Sequence, residues 1–457
     1  MKILGTEAKS AVGFGLSWLL LDAMLNLRWP GDEPSLYWLL PSIDVLLLFV
    51  GLAWAASAGR KSPTWLRWVL VAGFFLVRLF RLGDGVQEAY YAQAFNIYTD
   101  LPMLPELVRF AVSTHPAWQI AIIGLVIFGG AALLAFALYR ALSRAESYLA
   151  DTKHLLPVAG VAAAFSLGSL VVGHAPSKDH FFMGGFAASA FPRLKREALL
   201  LVNVYSTRAS FAANIAATEK TLAASGGNLS KLGRSSVYLF VVESYGETVF
   251  RKPEFVSSTR AFYTDLERDL GGSGFEMASA LLDSSTYGGR SWLAQATLAT
   301  GVRTSNQLEY DILCAKQPKG IAKFFQAAGY RAVLAQPGTT RPWPKGEFFG
   351  FDRRYYAWNF EYRGPEFEWA TMPDQYVVDY VRRRELGSER TQPLFIEYVL
   401  VSSHAPWSVQ PTLVDDWKRL ENGQIFGRLE PQRYPVSWPK FANGSGPYIR
   451  SIEYDLQ

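Results

Sequence analysis

The sequence predicts a multi-span α-helical membrane domain followed by an α/β domain, and three observations carry that expectation. Apolar residues are concentrated before residue 175, in a 457-residue chain that is 50% hydrophobic and 14% aromatic, with 14 Trp. Beyond residue 235, strand-like and helix-like stretches alternate, the pattern of a parallel or mixed sheet covered on both sides. At the start of that alternation stands 236–246, SVYLFVVESYG, a β-rich run that stops at Glu243 and a Ser-Tyr-Gly turn. The expected divisions are a five-span membrane domain at 1–173, a juxtamembrane amphipathic connector at 174–234 and an extracytoplasmic domain at 235–457.

Composition narrows the function. The 45 basic residues against 40 acidic give a net charge of +5, too small to argue for a nucleic-acid partner. One cysteine, Cys314, excludes an intrachain disulfide and a multi-cysteine zinc site. Of the five histidines only His404 lies in 235–457.

Five apolar segments come first, at 11–27, 36–58, 65–82, 118–142 and 155–173. Each approaches or exceeds the roughly 20 residues that cross a bilayer as a helix. No small-residue cleavage site follows the first, which reads as an anchor rather than a removable signal. Lys2, Lys9, Arg60, Lys61, Arg67, Arg140, Arg144 and Lys153 flank the segments on what is then the cytoplasmic side. Five crossings from an inside N-terminus put 174 onward outside the cytoplasm. Asp22 and Asp44 fall inside spans, where an unpaired charge costs about 2.5 to 3.5 kcal/mol. They are expected to face other helices, with Arg78 or Arg81 as partners, through an interhelical hydrogen bond or a lipid head-group contact. The aromatic-rich connection 83–116 suits short helices in the outer interface, presenting a lipid or capping the bundle.

Within the connector, 193–224 is amphipathic with Arg193, Lys195 and Arg196 early, before a flexible break at Gly226, Gly227, Asn228 and Ser230. The run 237–242 suits a strand buried on both faces. Helices are then expected near 258–270, 291–299, 320–328 and 374–384, a short run at 275–282, and strands at 331–335 and 394–401. Ligands in such sheets bind at the carboxyl ends of strands, where Glu243 stands.

The second informative stretch is 284–301, SSTYGGRSWLAQATLATG. Gly288 and Gly289 allow a tight turn before a helix whose first amides favour an anion. Ser291 at that helix start is either an ordinary N-cap or, beside a divalent cation, a nucleophile on a phosphoryl or sulfuryl centre.

A strand ending in an acid, a Gly-x-Ser helix start and a Thr-Gly at the helix end together resemble the sulfatase-like branch of the alkaline phosphatase superfamily. Within it, the membrane block and the Glu-Ser-Tyr-Gly turn look most like lipoteichoic acid synthases and phosphoglycerol or phosphoethanolamine transferases. The resemblance implies an alkaline phosphatase/sulfatase-like α/β sandwich. It implies that Glu243 binds a divalent cation, Mn or Mg, and that Ser291, also a metal ligand, attacks to form a phospho-enzyme. Gly289-Arg290-Ser291 takes the place of the family's Gly-Lys-Thr, and Leu298-Ala299-Thr300-Gly301 that of its Leu-x-Thr-Gly. Leu293 and Gln295 stand where sulfatases need Pro and Arg for formylglycine, so unmodified serine chemistry and phosphoryl transfer are implied over sulfate-ester hydrolysis. Thr286 is the reserve nucleophile.

Two further stretches extend the resemblance. In 401–406, VSSHAP, His404 matches the imidazole that contacts the substrate phosphate. In 340–345, TRPWPK, followed by Gly350-Phe351-Asp352, Lys345 stands for the family's phosphate-clamping Arg, with Trp343 beside it and Arg341 able to compensate. The family's late Asp-His metal pair has no counterpart after His404, and Asp179-His180 lies ahead of the first strand. The terminal 448–455 resembles the helix preceding the missing strand, so the expectation is a chain that stops inside its catalytic domain. The implied function is metal-dependent transfer or hydrolysis of a phosphoryl-linked group, from a membrane lipid donor to an envelope glycan or lipid acceptor, outside a bacterial plasma membrane. The alternatives are a sulfuric-ester hydrolase and a metal-free membrane binding protein.

Overall fold

The computed structural model describes residues 5–27, 41–91, 95–101, 104–105, 108, 112, 116–171, 181–183, 186–188, 190–225, 228–287, 289–368, 370–387, 391–436 and 444–457. The chain divides into a first compact unit, 1–208 with 287–289, and a second, 209–286 with 290–457. Asp179 and His180 lie outside the described residues.

In the first unit, helices form over all five apolar segments: α1 (Thr6–Asn26), α2 (Ile43–Ser57), α3 (Thr64–Tyr91), α4 (Ala117–Leu149) and α5 (Leu155–Val171). Two of them, at 7–26 and 117–149, are long and apolar enough to cross a membrane, and α2 is apolar but shorter. Phe14, Leu21, Val45, Phe49, Leu138 and Leu142 make a common core, with the Phe14 and Phe49 rings 5.2 Å apart. The outer side is equally apolar. On α4, Leu125, Phe128 and Leu133 are 74%, 77% and 74% exposed, far more greasy surface than a water-facing helix carries.

Asp22, Asp44, Arg78 and Arg81 of this unit bond backbone groups, Asp22 reaching the residue that caps α2. Asp22 accepts from the Ser42 amide at 3.0 Å and Asp44 from the Ala190 amide at 3.1 Å. Arg81 donates to the Leu25 carbonyl at 3.2 Å and Arg78 to that of Leu27, so both arginines serve the carbonyl end of α1, where helix geometry leaves carbonyls without intrahelical partners. Short strands β1 (Phe181–Met183) and β2 (Phe186–Ala188) pair antiparallel ahead of α6 (Ala190–Ala224). Arg193 on α6 is buried against Asp84 at 2.9 Å and Glu197, and donates to the Phe95 carbonyl at 2.8 Å. Arg193 and Arg196, which also meets Asp84 at 2.9 Å, thus anchor this helix internally, as buried charges must be paired, while Lys195 is exposed.

The second unit is built on four parallel strands, β3 (Val237–Val241), β4 (Arg331–Gln336), β5 (Arg353–Tyr356) and β6 (Leu394–Val399), in the order β3-β6-β4-β5. Helices α7 (Pro253–Gly272), α8 (Ser291–Thr300), α9 (Gln307–Lys316), α10 (Ile321–Ala327), α11 (Asp374–Val381) and α12 (Ser445–Leu456) surround it. Leu293, Ala296, Leu313 and Phe325 pack with Phe395 and Val399 on one face. Tyr376, Val377 and Phe360 pack with Ile396 and Tyr398 on the other. This is the three-layer arrangement that the alternating pattern implies.

Three details differ from expectation. The strand buried on both faces is β6, all six of whose residues are buried. By contrast β3 lies at the edge, with Tyr238 and Phe240 42% and 46% exposed, because it pairs with β6 alone among the described strands. The run 275–282 forms no regular element and pairs with no described strand, and Leu281 and Leu282 are exposed. Strand β5 and helix α9 form where no regular element was expected. A short antiparallel pair, β7 (Val409–Gln410) with β8 (Gln432–Arg433), follows β6.

Candidate functional site

The carboxyl ends of β3 and β6 are neighbours because the two strands run parallel in register, Val241 opposite Val399. The Leu400 amide still donates to the Val241 carbonyl at 2.9 Å, so the strands part only afterwards. On one side the chain turns at Glu243 and Ser244. On the other it turns through 401–404, closed by the His404 amide on the Val401 carbonyl at 3.1 Å. Ser403, fully buried, links the turns: its hydroxyl donates to the Glu243 carbonyl at 2.6 Å. The tertiary structure thereby brings Glu243 and His404 onto adjacent turns at the sheet edge where α/β folds bind ligands.

Both turns are held from outside. Ser244 has φ 59°, a left-handed conformation uncommon for a residue with a side chain. The Tyr448 hydroxyl of α12 donates to its carbonyl at 2.8 Å. Trp407 Nε1 donates to the Ser403 carbonyl at 2.7 Å, and His404 Nδ1 lies 2.6 Å from the Ala405 carbonyl. Tyr448→Phe keeps the ring contacts to Phe255 and Trp407, at 5.4 and 5.1 Å, and removes only the hydroxyl. It is expected to cost about 1 kcal/mol, read as a shifted denaturation midpoint; an unchanged midpoint would show that the turn holds without it.

Ser291 is the first residue of α8. The N-cap position belongs to Arg290 at φ 58°, and no side chain caps the helix, so the ordinary N-cap reading of Ser291 does not hold. The segment before it is tied down. Arg303 donates to the Ser284 carbonyl at 3.0 Å, Thr297 Oγ1 donates to Ser285 Oγ at 3.0 Å, and the Thr286 amide donates to Ser284 Oγ at 3.2 Å. Leu293 and Ala296, one turn on, are fully buried and fix the helix against the sheet. Ser291 and Thr286 are both partly exposed.

Of the residues expected to hold phosphate, Arg341, Trp343 and Lys345 lie together in the loop after β4. Lys345 pairs with Asp311 of α9 at 2.6 Å, its ammonium 5.9 Å from the Tyr310 ring. Trp343 packs on Phe349, centroids 5.7 Å apart, as part of the core beneath α8–α10. Arg341 is exposed.

Sequence reasoning missed Asp374, Ser402, Ser403 and Asp455. Asp374 opens α11, fully buried, and its Oδ2 accepts from the amides of Val401 at 2.8 Å and Ser402. Its own amide donates to Ser402 Oγ at 3.0 Å. The Asp455 carboxyl of α12 faces Asp374 and Ser403. Burial pushes Asp374 above the usual carboxylate range against the opposing amides, and burial plus the neighbouring Asp374 push Asp455 well above it. An Asp following Pro at a helix start is a common pattern, and no local signal joins it to a second acid on a distant helix.

The divalent cation implied by the resemblance does not fit the described residues. No group of three or more His, Cys, Asp or Glu among them is placed to hold a metal ion. No family model matches the chain, and no curated protein or solved structure is significantly similar to it.

Proposed function

We propose that this chain is a membrane-anchored protein of the sulfatase-like branch of the alkaline phosphatase superfamily, acting on a phosphoryl-linked lipid head group outside the cytoplasm. The observation that carries this reading is the Ser403 to Glu243 link, which joins the Glu243 and His404 turns at the carboxyl edge of a parallel sheet. In this reading Ser291 Oγ forms a bond to phosphorus while the bond to the lipid alkoxide breaks, and the hydroxyl proton ends on the departing oxygen. An acceptor hydroxyl, or water, then displaces Ser291. His404 donates a hydrogen bond to a phosphoryl oxygen, and the first amides of α8 favour the anion. Since the cation does not fit, no step passes through one.

Incubating the full chain in detergent with head-group-labelled phosphatidylglycerol or phosphatidylethanolamine tests this. Label on Ser291, located by peptide mass spectrometry, supports the reading; paired sulfate esters turned over in preference to phosphate esters would replace it with the hydrolase. A second reading, binding without transfer, is favoured by the lack of a three-ligand group among the described residues. Lipid capture without any labelled serine would select it.

The membrane assignment in this proposal rests on the exposed apolar side of α1 and α4 and on five helices over five apolar segments. A reporter active only in the cytoplasm, fused after Gly233, is expected to be silent. Activity there would reverse the orientation.

A further inference from the structure

We propose that Asp374 and Asp455 share one proton and act as positioning residues, locking the 401–404 turn, and through Ser403 the Glu243 turn, onto helices α11 and α12. Asp374 Oδ2 is occupied by two amides of the turn, those of Val401 and Ser402. Asp374 Oδ1 and both Asp455 oxygens are buried without a hydrogen bond of normal geometry, and the two carboxyl groups face one another. Two carboxylates facing one another out of water cannot both ionise; Ser403 also faces Asp455, and a single proton between the two carboxyls joins them across the gap that Ser403 leaves. The groups facing the pair are the hydroxyls of Ser402 and Ser403 and the phenol of Tyr454, beside which Tyr362 stands.

The consequence is a rigid base under the candidate site. Asp374 fixes the backbone on one side of Ser403, Asp455 faces Ser403 itself, and Ser403 holds the Glu243 carbonyl. The next carbonyl, that of Ser244, is held by Tyr448 on the same helix as Asp455. Helix α12 therefore grips both strand-end turns. The inference rests on the phosphoryl reading only in giving Glu243 and His404 a substrate to meet.

Asp455→Asn separates this from ordinary packing, because the amide donates permanently to Asp374 where the acid donates only while protonated. Infrared difference spectra of the full chain in detergent at neutral pH, wild type minus Asp455→Asn, are expected to show one protonated-carboxyl carbonyl band. Hydrogen exchange of peptides covering 243–246 and 401–404 is expected to lose about tenfold in protection, corrected for intrinsic rates, as alkali removes the wild-type proton; Asp455→Asn keeps its protection. An absent band, or an identical pH profile in the two proteins, would overturn the proposal. Neither readout needs turnover, so a failure of the phosphoryl reading shows separately, as an unlabelled Ser291 in a chain whose turns still behave as described.

Discussion

Ser291→Ala is expected to abolish transfer, by about 10³-fold or more, with the fold intact. The size follows from removing a nucleophile rather than a contact: the neighbours that orient the substrate remain, but no oxygen is left to form the covalent intermediate. The intact fold follows from the local structure. Ser291 is the first helical residue and its hydroxyl does not cap α8, while alanine is the better helix former. The decisive comparison is turnover of labelled phospholipid beside a thermal unfolding curve for the same preparation. Activity retained in Ser291→Ala but lost in Thr286→Ala would transfer the nucleophile to Thr286, whose segment is anchored by Ser284 and Arg303. Activity retained in both would remove serine and threonine chemistry from this helix start altogether.

Glu397→Met is expected to stabilise the second unit by about 3 kcal/mol at pH 8, and by much less at pH 5. Glu397 sits in the middle of the central strand, in register with Leu239 and Leu334, and is only 5% exposed. It shares its face with Phe395 and Val399, and burial alone pushes its carboxyl up to about 7. The sign follows from proton linkage. Between the unfolded value of about 4.3 and that raised value the native state binds more protons, so stability is fully present below the former and lost as pH rises through the latter. The difference in the two values corresponds to about 3 to 4 kcal/mol. Methionine matches the volume and carries no titrating group. Denaturant unfolding at the two pH values checks this; an equal gain at both would mean that Glu397 does not titrate there.

Much of the architecture was legible in the residues themselves. The apolar segments at 11–27 and 118–142 become α1 and α4, and 331–335 and 394–401 become β4 and β6, because period and apolar run length act within a few residues. The helix start at Ser291 was readable for the same reason: Gly289 and Arg290 supply the turn conformation, at φ 141° and 58°. Resemblance of short motifs added roles for Lys345 and Trp343. The structure pairs Lys345 with Asp311 and packs Trp343 on Phe349, contacts that no local pattern in 340–345 announces.

By itself, then, the sequence determined most of the segments that are helix or strand, β5 and α9 excepted, where the apolar residues concentrate and that Glu243 and His404 each follow a strand. Only the tertiary structure decided that those two strands are neighbours, that Ser403 bonds a carbonyl 160 residues away, and that Asp374 and Asp455 meet beneath them. The physical reason is range. Backbone propensity and side-chain period are settled between near neighbours, whereas strand order is settled by which faces bury best against each other. A hydroxyl or a carboxyl acquires its partner, and its protonation, only after that burial has chosen its surroundings.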